Sequence, residues 1–134
     1  MDDAVRQLVR KRADYRCEYC RVRQSHIPLS PLQIEHVVPK KHHGDDDPAN
    51  LALACDRCNL HKGTNVAGID ADSGQVVPLY NPRQQAWDEH FELVRFFLEG
   101  TTLTGRVTVD VLNMNEDRRV FLRETLMLLG EAVI

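Results

Sequence analysis

Apolar residues recur at helical spacing near the beginning of the chain. Val5, Leu8 and Val9 fall on one face of residues 4–13, so we predict an amphipathic helix with that face buried. Asp2 and Asp3 precede it, where negative charge stabilises the positive end of a helix. The chain is therefore predicted to open with a helix.

A strand, a loop, a second strand and a second helix are predicted next. Residues 32–38 alternate well enough for a strand that Pro39 stops, and residues 50–54 form a short apolar segment typical of its partner. Residues 40–48 are too polar to pack as core and are predicted to form a surface loop. Residues 56–62 can form a helix that Gly63 ends.

The second half of the chain predicts further strands and helices. A turn is predicted at 70–74 and an edge strand at 76–79, and residues 91–98 could pair with a segment from Leu103 through Glu99 and Gly100. Thr104 is the predicted cap of a helix over 106–112, and Asn115 that of a last helix over 116–129. The residues predicted to recur on the buried face of that last helix are Val120, Phe121, Thr125, Leu128 and Leu129.

Composition narrows the class of protein. The chain has 134 residues, 43% of them hydrophobic and 28% charged, which suits one globular domain with an appendage. No run of 18 apolar residues is present, so we predict no membrane span. The net charge is −3, but the charges are unevenly distributed along the chain. Lys and Arg outnumber Asp and Glu in residues 1–62 and are outnumbered in the rest. The basic beginning could attract a phosphate backbone or form a solvated helix face.

Four cysteines occur as two Cys-x-x-Cys pairs: Cys17 with Cys20, and Cys55 with Cys58. Two disulfides, buried thiols or a redox motif are the alternatives to a metal site. Asp2 and Asp3 directly after Met1 predict no signal peptide of the usual form, hence a cytoplasmic protein with reduced thiols. Four thiolates in two such pairs then favour a closed, structural zinc site.

The residues around these pairs resemble the HNH endonucleases. The resemblance covers about residues 15–65. It is carried by the two Cys-x-x-Cys pairs, the run from Ile34 to Lys40, Asn50-Leu51, and Asn59-x-x-Lys62-Gly63. Segments at 76–83, 87–91 and 103–106 also resemble a C-terminal extension found in stand-alone bacterial members of the family.

The resemblance implies a set of catalytic residues. His36 would be the general base that activates water, a role suited to a side chain that titrates near neutral pH. Glu35 and Asn59 would bind a catalytic Mg²⁺ or Mn²⁺ ion, and the amide of Asn50 would tie the loop to the strand bearing His36. On a regular strand Glu35 and His36 point to opposite faces, so a strand end or bulge is needed to bring them to one ion.

This chain departs from the family pattern at two positions. Glu35 stands where most members have Asp, and the alternative for it is a surface salt bridge. Gly63 stands where some members have a third histidine ligand, which favours Mg²⁺ or Mn²⁺ over zinc or nickel at the catalytic site. His61 and Lys62 are predicted phosphate contacts, whereas His42 and His43 are predicted to be solvated.

The sequence therefore predicts an α+β fold. Residues 1–66 would form a zinc-stapled ββα-metal core (His-Me finger, treble-clef-like) with an N-terminal helix, and residues 67–134 an α+β extension packed on it. The predicted function is metal-dependent hydrolysis of DNA, with RNA not excluded. The alternative is a non-catalytic zinc module that binds nucleic acid or protein. Substrate structure and sequence specificity, biological role, oligomeric state and the role of the C-terminal extension stay open.

Overall fold

The computed structural model describes all residues from 1 to 134 and has an α+β architecture. Three antiparallel pairs of strands are combined with four α-helices. The helices are α1 (Asp3–Arg12), α2 (Asp56–Lys62), α3 (Leu103–Val111) and α4 (Asp117–Leu128). The strands are β1 (Gln33–His36), β2 (Leu51–Ala54), β3 (Ala67–Ile69), β4 (Val76–Pro78), β5 (Phe91–Val94) and β6 (Phe97–Gly100).

Helix α1 begins where the acidic pair predicts. The Asp2 side chain accepts a hydrogen bond from the Val5 N–H at 2.9 Å, which satisfies one of the free amides of the first turn. The buried face of α1 runs through Val5, Val9 and Ala13 at a spacing of four, and Val9 is fully buried. Leu8 is about half exposed, so the predicted face was wrong at that position.

The strand, loop, strand and helix predicted for residues 32–62 are confirmed. Strands β1 and β2 pair in regular antiparallel register, from Gln33 opposite Ala54 to His36 opposite Leu51. Helix α2 follows one residue after β2 and ends at Gly63, whose φ of 49° suits a residue without a β-carbon. The pairing contains no bulge, so neighbouring side chains of β1 point to opposite faces.

The extension differs from its prediction in its second half. Strands β5 and β6 form a tight hairpin that turns at Arg95, where φ is 55°, and Leu103 begins helix α3 instead of a strand. Thr102, not Thr104, caps α3 by accepting from the Gly105 N–H at 3.0 Å. The hairpin and α3 approach so closely that a β-carbon at Gly100 would overlap the α3 backbone.

Helix α4 has nearly the predicted bounds but buries a different face. Phe121, Leu128 and Leu129 are exposed, whereas Arg119, Arg123 and Leu126 are buried. The Asn115 side chain does not cap this helix. It bonds the backbone N–H and C=O of Leu98 in β6 instead.

Both halves of the chain contribute to one hydrophobic core, which comprises 22 buried residues. Trp87 shows how they meet: its indole N–H donates to the Tyr19 carbonyl at 2.7 Å, and its ring stacks on Phe91. Arg83 also pairs with Glu18. The extension thus packs on the core, while the division into domains at residue 66 stays a prediction. None of the helices is both long enough and apolar enough to cross a membrane.

Candidate metal centre and active site

The four cysteines meet in one buried cluster formed by two knuckles. The first knuckle is the turn that bears Cys17 and Cys20, and the second is the start of α2 with Cys55 and Cys58. Their sulfur atoms all lie within 4.8 Å of one another, and the Cys20 and Cys55 sulfurs are 3.7 Å apart. In each pair the backbone N–H of the second cysteine points at the first sulfur, at 3.4 Å for Cys20 to Cys17 and 3.3 Å for Cys58 to Cys55. No disulfide is present.

This donor set fits a structural zinc ion. Four sulfur ligands complete a tetrahedral shell and leave no position for substrate. No other group of three or more His, Cys, Asp or Glu side chains in the chain is close enough to hold a metal ion. Two buried arginines of α4 also line the cavity beside the cluster, which the sequence did not lead us to expect.

His36 lies at the end of β1 with its ring partly exposed, at 24% of the side-chain surface. Its Nε2 atom is 2.7 Å from a carboxylate oxygen of Asp46, and the Lys40 ammonium is 3.3 Å from the same oxygen. The hydrogen bond from His36, followed by that from Lys40, lowers the pKa of Asp46. The three side chains form a polar group at the surface.

The loop between β1 and β2 is fastened so that Asp46 faces His36. The Asn50 side chain accepts from the Val38 N–H at 2.8 Å and donates to the carbonyls of Val38 and Asp45. A β-carbon at Gly44 would overlap the Val38 carbonyl oxygen, so glycine is needed for this close approach. The Asn50 side chain therefore stabilises the conformation of the loop through its backbone hydrogen bonds.

Glu35 lies on the other face of β1 and is buried, with 5% of its surface exposed. Its carboxylate accepts from the Tyr19 hydroxyl and pairs with the Lys62 ammonium at 3.1 Å. Burial raises the pKa of Glu35, although Lys62 opposes the shift, and burial with the nearby Glu35 charge raises the pKa of Tyr19. The alternative of a surface salt bridge for Glu35 was wrong, because the pair is internal.

The prediction of Lys62 as a phosphate contact needs correction. Lys62 is 2% exposed, and besides Glu35 its ammonium bonds the carbonyls of His36 and Val37 at 3.1 and 3.0 Å. All three of its N–H donors are used inside the protein. Lys62 therefore fastens α2 to the end of β1 and has no donor left for a substrate.

Asn59 lies on the same face of α2 as Lys62, one turn earlier, and its amide donates to the Gln33 side chain. Gln33 and Glu35 share one face of β1, and His36 lies on the opposite face. The structure thus brings Asn59 and Glu35 to the same interface but does not bring His36 to it. As placed, both Glu35 oxygens are engaged, so Glu35 with Asn59 does not form an open site for Mg²⁺ or Mn²⁺.

His61 faces the extension. Its Nε2 lies 3.2 Å from the Arg57 guanidinium and 3.6 Å from Glu116, and Arg57 itself makes a two-pronged pair with Glu116 at 2.7 and 2.9 Å. His61 is therefore held among charged groups that join α2 to the start of α4. Like Lys62, it differs from the phosphate contact that the sequence predicted.

Sequence reasoning missed the residues that hold these sites in place. Nothing in the sequence singled out Asp46 within the polar loop or Tyr19 between Cys17 and Cys20. The buried Arg119 could have been suspected because it interrupts the apolar spacing of α4 with a long charged side chain. No comparable signal marked Asp46, since only the fold of the loop selects it over Asp45 and Asp47.

Comparisons with known proteins find a matching family model and a relative. The family model of the HNH endonuclease matches residues 17–65, a segment that holds the cysteine cluster, His36, Asn50 and Asn59. The Septu protein PtuB of Bacillus thuringiensis is 32% identical over 126 residues. That match covers 89% of this chain but 43% of the relative, so the chain spans less than half of that protein's length. No solved structure matches the chain.

The model match, the four-cysteine cluster and the β1, β2, α2 arrangement support one assignment. Each concerns the same segment of the chain and none depends on a catalytic role for a particular side chain. Residues 17–65 of this chain are thus the segment that matches the HNH endonuclease family.

Proposed function

We propose that this chain is an endonuclease that hydrolyses phosphodiester bonds of DNA with His36 as the general base, RNA remaining a second possible substrate. The observation that carries the proposal is the His36 and Asp46 pair in an HNH domain, at the surface and next to exposed cations. A strand-end imidazole with an oriented partner suits proton transfer from water.

The Asp46 contact selects the ring nitrogen that would act. A neutral ring that donates from Nε2 to the Asp46 carboxylate carries its lone pair on Nδ1. Nδ1 would then accept the proton of the attacking water, and Asp46 would stabilise the imidazolium that forms. Asp46 is thus proposed as a positioning residue, with Asn50 and Gly44 holding its loop.

The loop after β1 supplies candidate contacts for the phosphate backbone. Lys40 is 65% exposed, and Lys41, His42 and His43 are exposed beside it. Positive charge near a reacting phosphate attracts the substrate and opposes the charge that develops during cleavage. We therefore assign the phosphate contacts to this loop in place of His61 and Lys62.

A bound Mg²⁺ or Mn²⁺ ion would neutralise charge on the phosphate and the leaving oxygen. Metal dependence stays part of the proposal because the family resemblance implies it. The donor pair Glu35 and Asn59 does not fit such an ion in this conformation, so we assign it no step in the reaction.

The buried Glu35 also favours a second candidate function, a zinc module that binds nucleic acid without cutting it. A carboxylate held by Tyr19 and Lys62 is what a purely structural role requires. Binding through the exposed cations would persist without any catalytic ion.

A cleavage assay with plasmid DNA separates the two functions. The parent should cut with Mg²⁺ or Mn²⁺ and not with EDTA. The cleavage rate of His36→Ala should fall by about 100-fold or more, while its salt-sensitive DNA binding persists. The cleavage rate of Asp46→Asn should fall by about 10-fold, because general acid–base catalysis depends on the orientation of the His36 ring. Asp72→Asn, an exposed aspartate outside the site, should match the parent.

Two results would reject the nuclease proposal. Parent and His36→Ala proteins that cut equally fast would mean that another residue or a contaminant is responsible. Salt-sensitive binding of DNA and RNA without cleavage of either would support the binding module.

A further inference from the structure

Helix α4 lies beyond the segment that matches the HNH model, yet one of its side chains reaches the cysteine cluster. The Arg119 guanidinium donates to the Cys58 sulfur at 2.8 Å and lies 4.0 Å from the Cys55 sulfur. Arg119 is 7% exposed. A buried cation in direct contact with a metal-binding sulfur is a specific arrangement and not a solvated helix face.

The charge of the centre explains why buried cations lie there. Four thiolates around a Zn²⁺ ion carry two negative charges in excess of the metal's own. Keeping such charge away from water is unfavourable unless opposite charges lie close by. Arg119 and Arg123 are the two buried arginines of α4, and both line the cavity of about 230 Å³ beside Cys20 and Cys55.

The rest of the guanidinium is fixed by the backbone. The second terminal nitrogen of Arg119 donates to the carbonyls of Leu112 and Asn113, at 2.9 and 3.1 Å, where α3 ends. The Arg123 guanidinium is held by the carbonyls of Phe96 and Met114 and by Asn115. Because the planar Arg119 group is anchored on one edge, its other edge is aimed at the sulfur.

We propose that Arg119 belongs to the zinc centre, donating a hydrogen bond to the Cys58 thiolate and, with Arg123, balancing the charge of the four-cysteine shell. The extension then sets how firmly the HNH domain holds its zinc. Groups that orient and balance the ligands of a metal commonly change its affinity by about 10- to 100-fold. This role does not depend on whether the chain cleaves DNA.

Zinc competition with a chromogenic chelator tests the proposal directly. Arg119→Gln should lose zinc at a chelator concentration about 10-fold or more below that needed for the parent. Arg118→Gln is the matched control, since Arg118 is the preceding residue, 64% exposed, and donates no hydrogen bond to a cysteine sulfur. Arg118→Gln should keep the parent's zinc affinity.

Cobalt substitution provides a readout that a merely structural role would not move. The sulfur-to-metal absorption band of the Co²⁺ protein should shift in Arg119→Gln, because the thiolate loses its hydrogen bond, and should stay unchanged in Arg118→Gln. If Arg119→Gln does not fold, Arg119→Lys retains the positive charge but loses the anchored planar donor, and should show intermediate zinc affinity and a shifted band. A folded Arg119 variant with the parent's zinc affinity and cobalt spectrum would overturn the proposal.

Discussion

At the scale of single residues, the buried charged groups define how the candidate site is built. Glu35, Lys62 and Tyr19 form an internal group beneath the strand that carries His36. Lys62 bonds Glu35 and two carbonyls at once, so it links α2 to the end of β1. The buried pair of Glu35 and Lys62 therefore holds the end of β1, where His36 lies, from inside the protein.

Replacing Lys62 by Met should destabilise the protein by about 3 kcal/mol, because removal of one partner leaves the other charge buried and uncompensated. Chemical denaturation of the zinc-loaded protein measures the change. Lys41→Met, at an exposed position, should alter the free energy of unfolding by less than about 0.5 kcal/mol. If Lys62→Met instead weakened DNA binding and left stability unchanged, Lys62 would be a phosphate contact after all.

The sequence was informative about these residues where chemistry is local. Cys-x-x-Cys spacing predicted the cluster because two residues between cysteines suffice to turn both sulfurs inward. It was not informative about Lys62, because a lysine at a helix end is usually solvated. Only the tertiary approach of α2 to β1 places the Lys62 ammonium against Glu35.

At the scale of elements, helix α4 shows what periodicity can and cannot predict. Its bounds followed from the spacing of its residues, but its buried face did not. A count of apolar positions favours the side bearing Phe121 and Leu128, both of which are exposed. The buried side carries Arg119 and Arg123 because it meets sulfurs and carbonyls at the ends of other elements. The β5–β6 hairpin was likewise missed, since a two-residue turn at Arg95 has no glycine to mark it.

The ion pair at the start of α4 should make the contact between α2 and α4 sensitive to acid. The hydrogen bond from Arg57 lowers the pKa of Glu116 from an ordinary 4.5 to about 2 in the folded protein. Folding thus favours ionised Glu116, so its stabilising contribution is present above pH 4.5 and is lost as the pH falls towards 2. The parent should exceed Glu116→Gln in stability at pH 7, and the difference should narrow below about pH 4.5.

Unfolding measured from pH 7 downwards tests this dependence. Glu124→Gln is the control, since Glu124 lies on the same helix and makes no ion pair. A difference between parent and Glu116→Gln that stays constant across this range would mean that the pair does not supply the stability.

At the scale of the whole molecule, the four-cysteine cluster lies where both halves of the chain meet. The shared core, the Arg83 and Glu18 pair and the contact of Arg119 with Cys58 all cross from the extension to the HNH segment. Metal binding is thus expected to affect more than the two knuckles that supply the ligands. The extension, whose role the sequence alone left open, thus contacts the cluster through Arg119.

Zinc removal should loosen α4 together with the knuckles. Metal sites of this kind can contribute about 10 kcal/mol to folding in isolated peptides, so chelation should strongly increase hydrogen exchange around residues 17–62. Amides of α4 from Arg119 onwards should also lose protection. Arg119 anchors this helix to the Cys58 thiolate, and removal of zinc should weaken that contact. Exchange that rises only within residues 17–62 would indicate that the extension is stable without the zinc centre.

The chain carries a natural optical probe of that junction. Trp87 is its single tryptophan, and the indole is buried between Phe91 and the Tyr19 carbonyl, with the Arg21 guanidinium 5.1 Å from the ring. All tryptophan emission therefore originates where the extension meets the HNH segment. Separation of the two would move the indole into water and shift its fluorescence to longer wavelength, so docking can be followed in solution without an attached label.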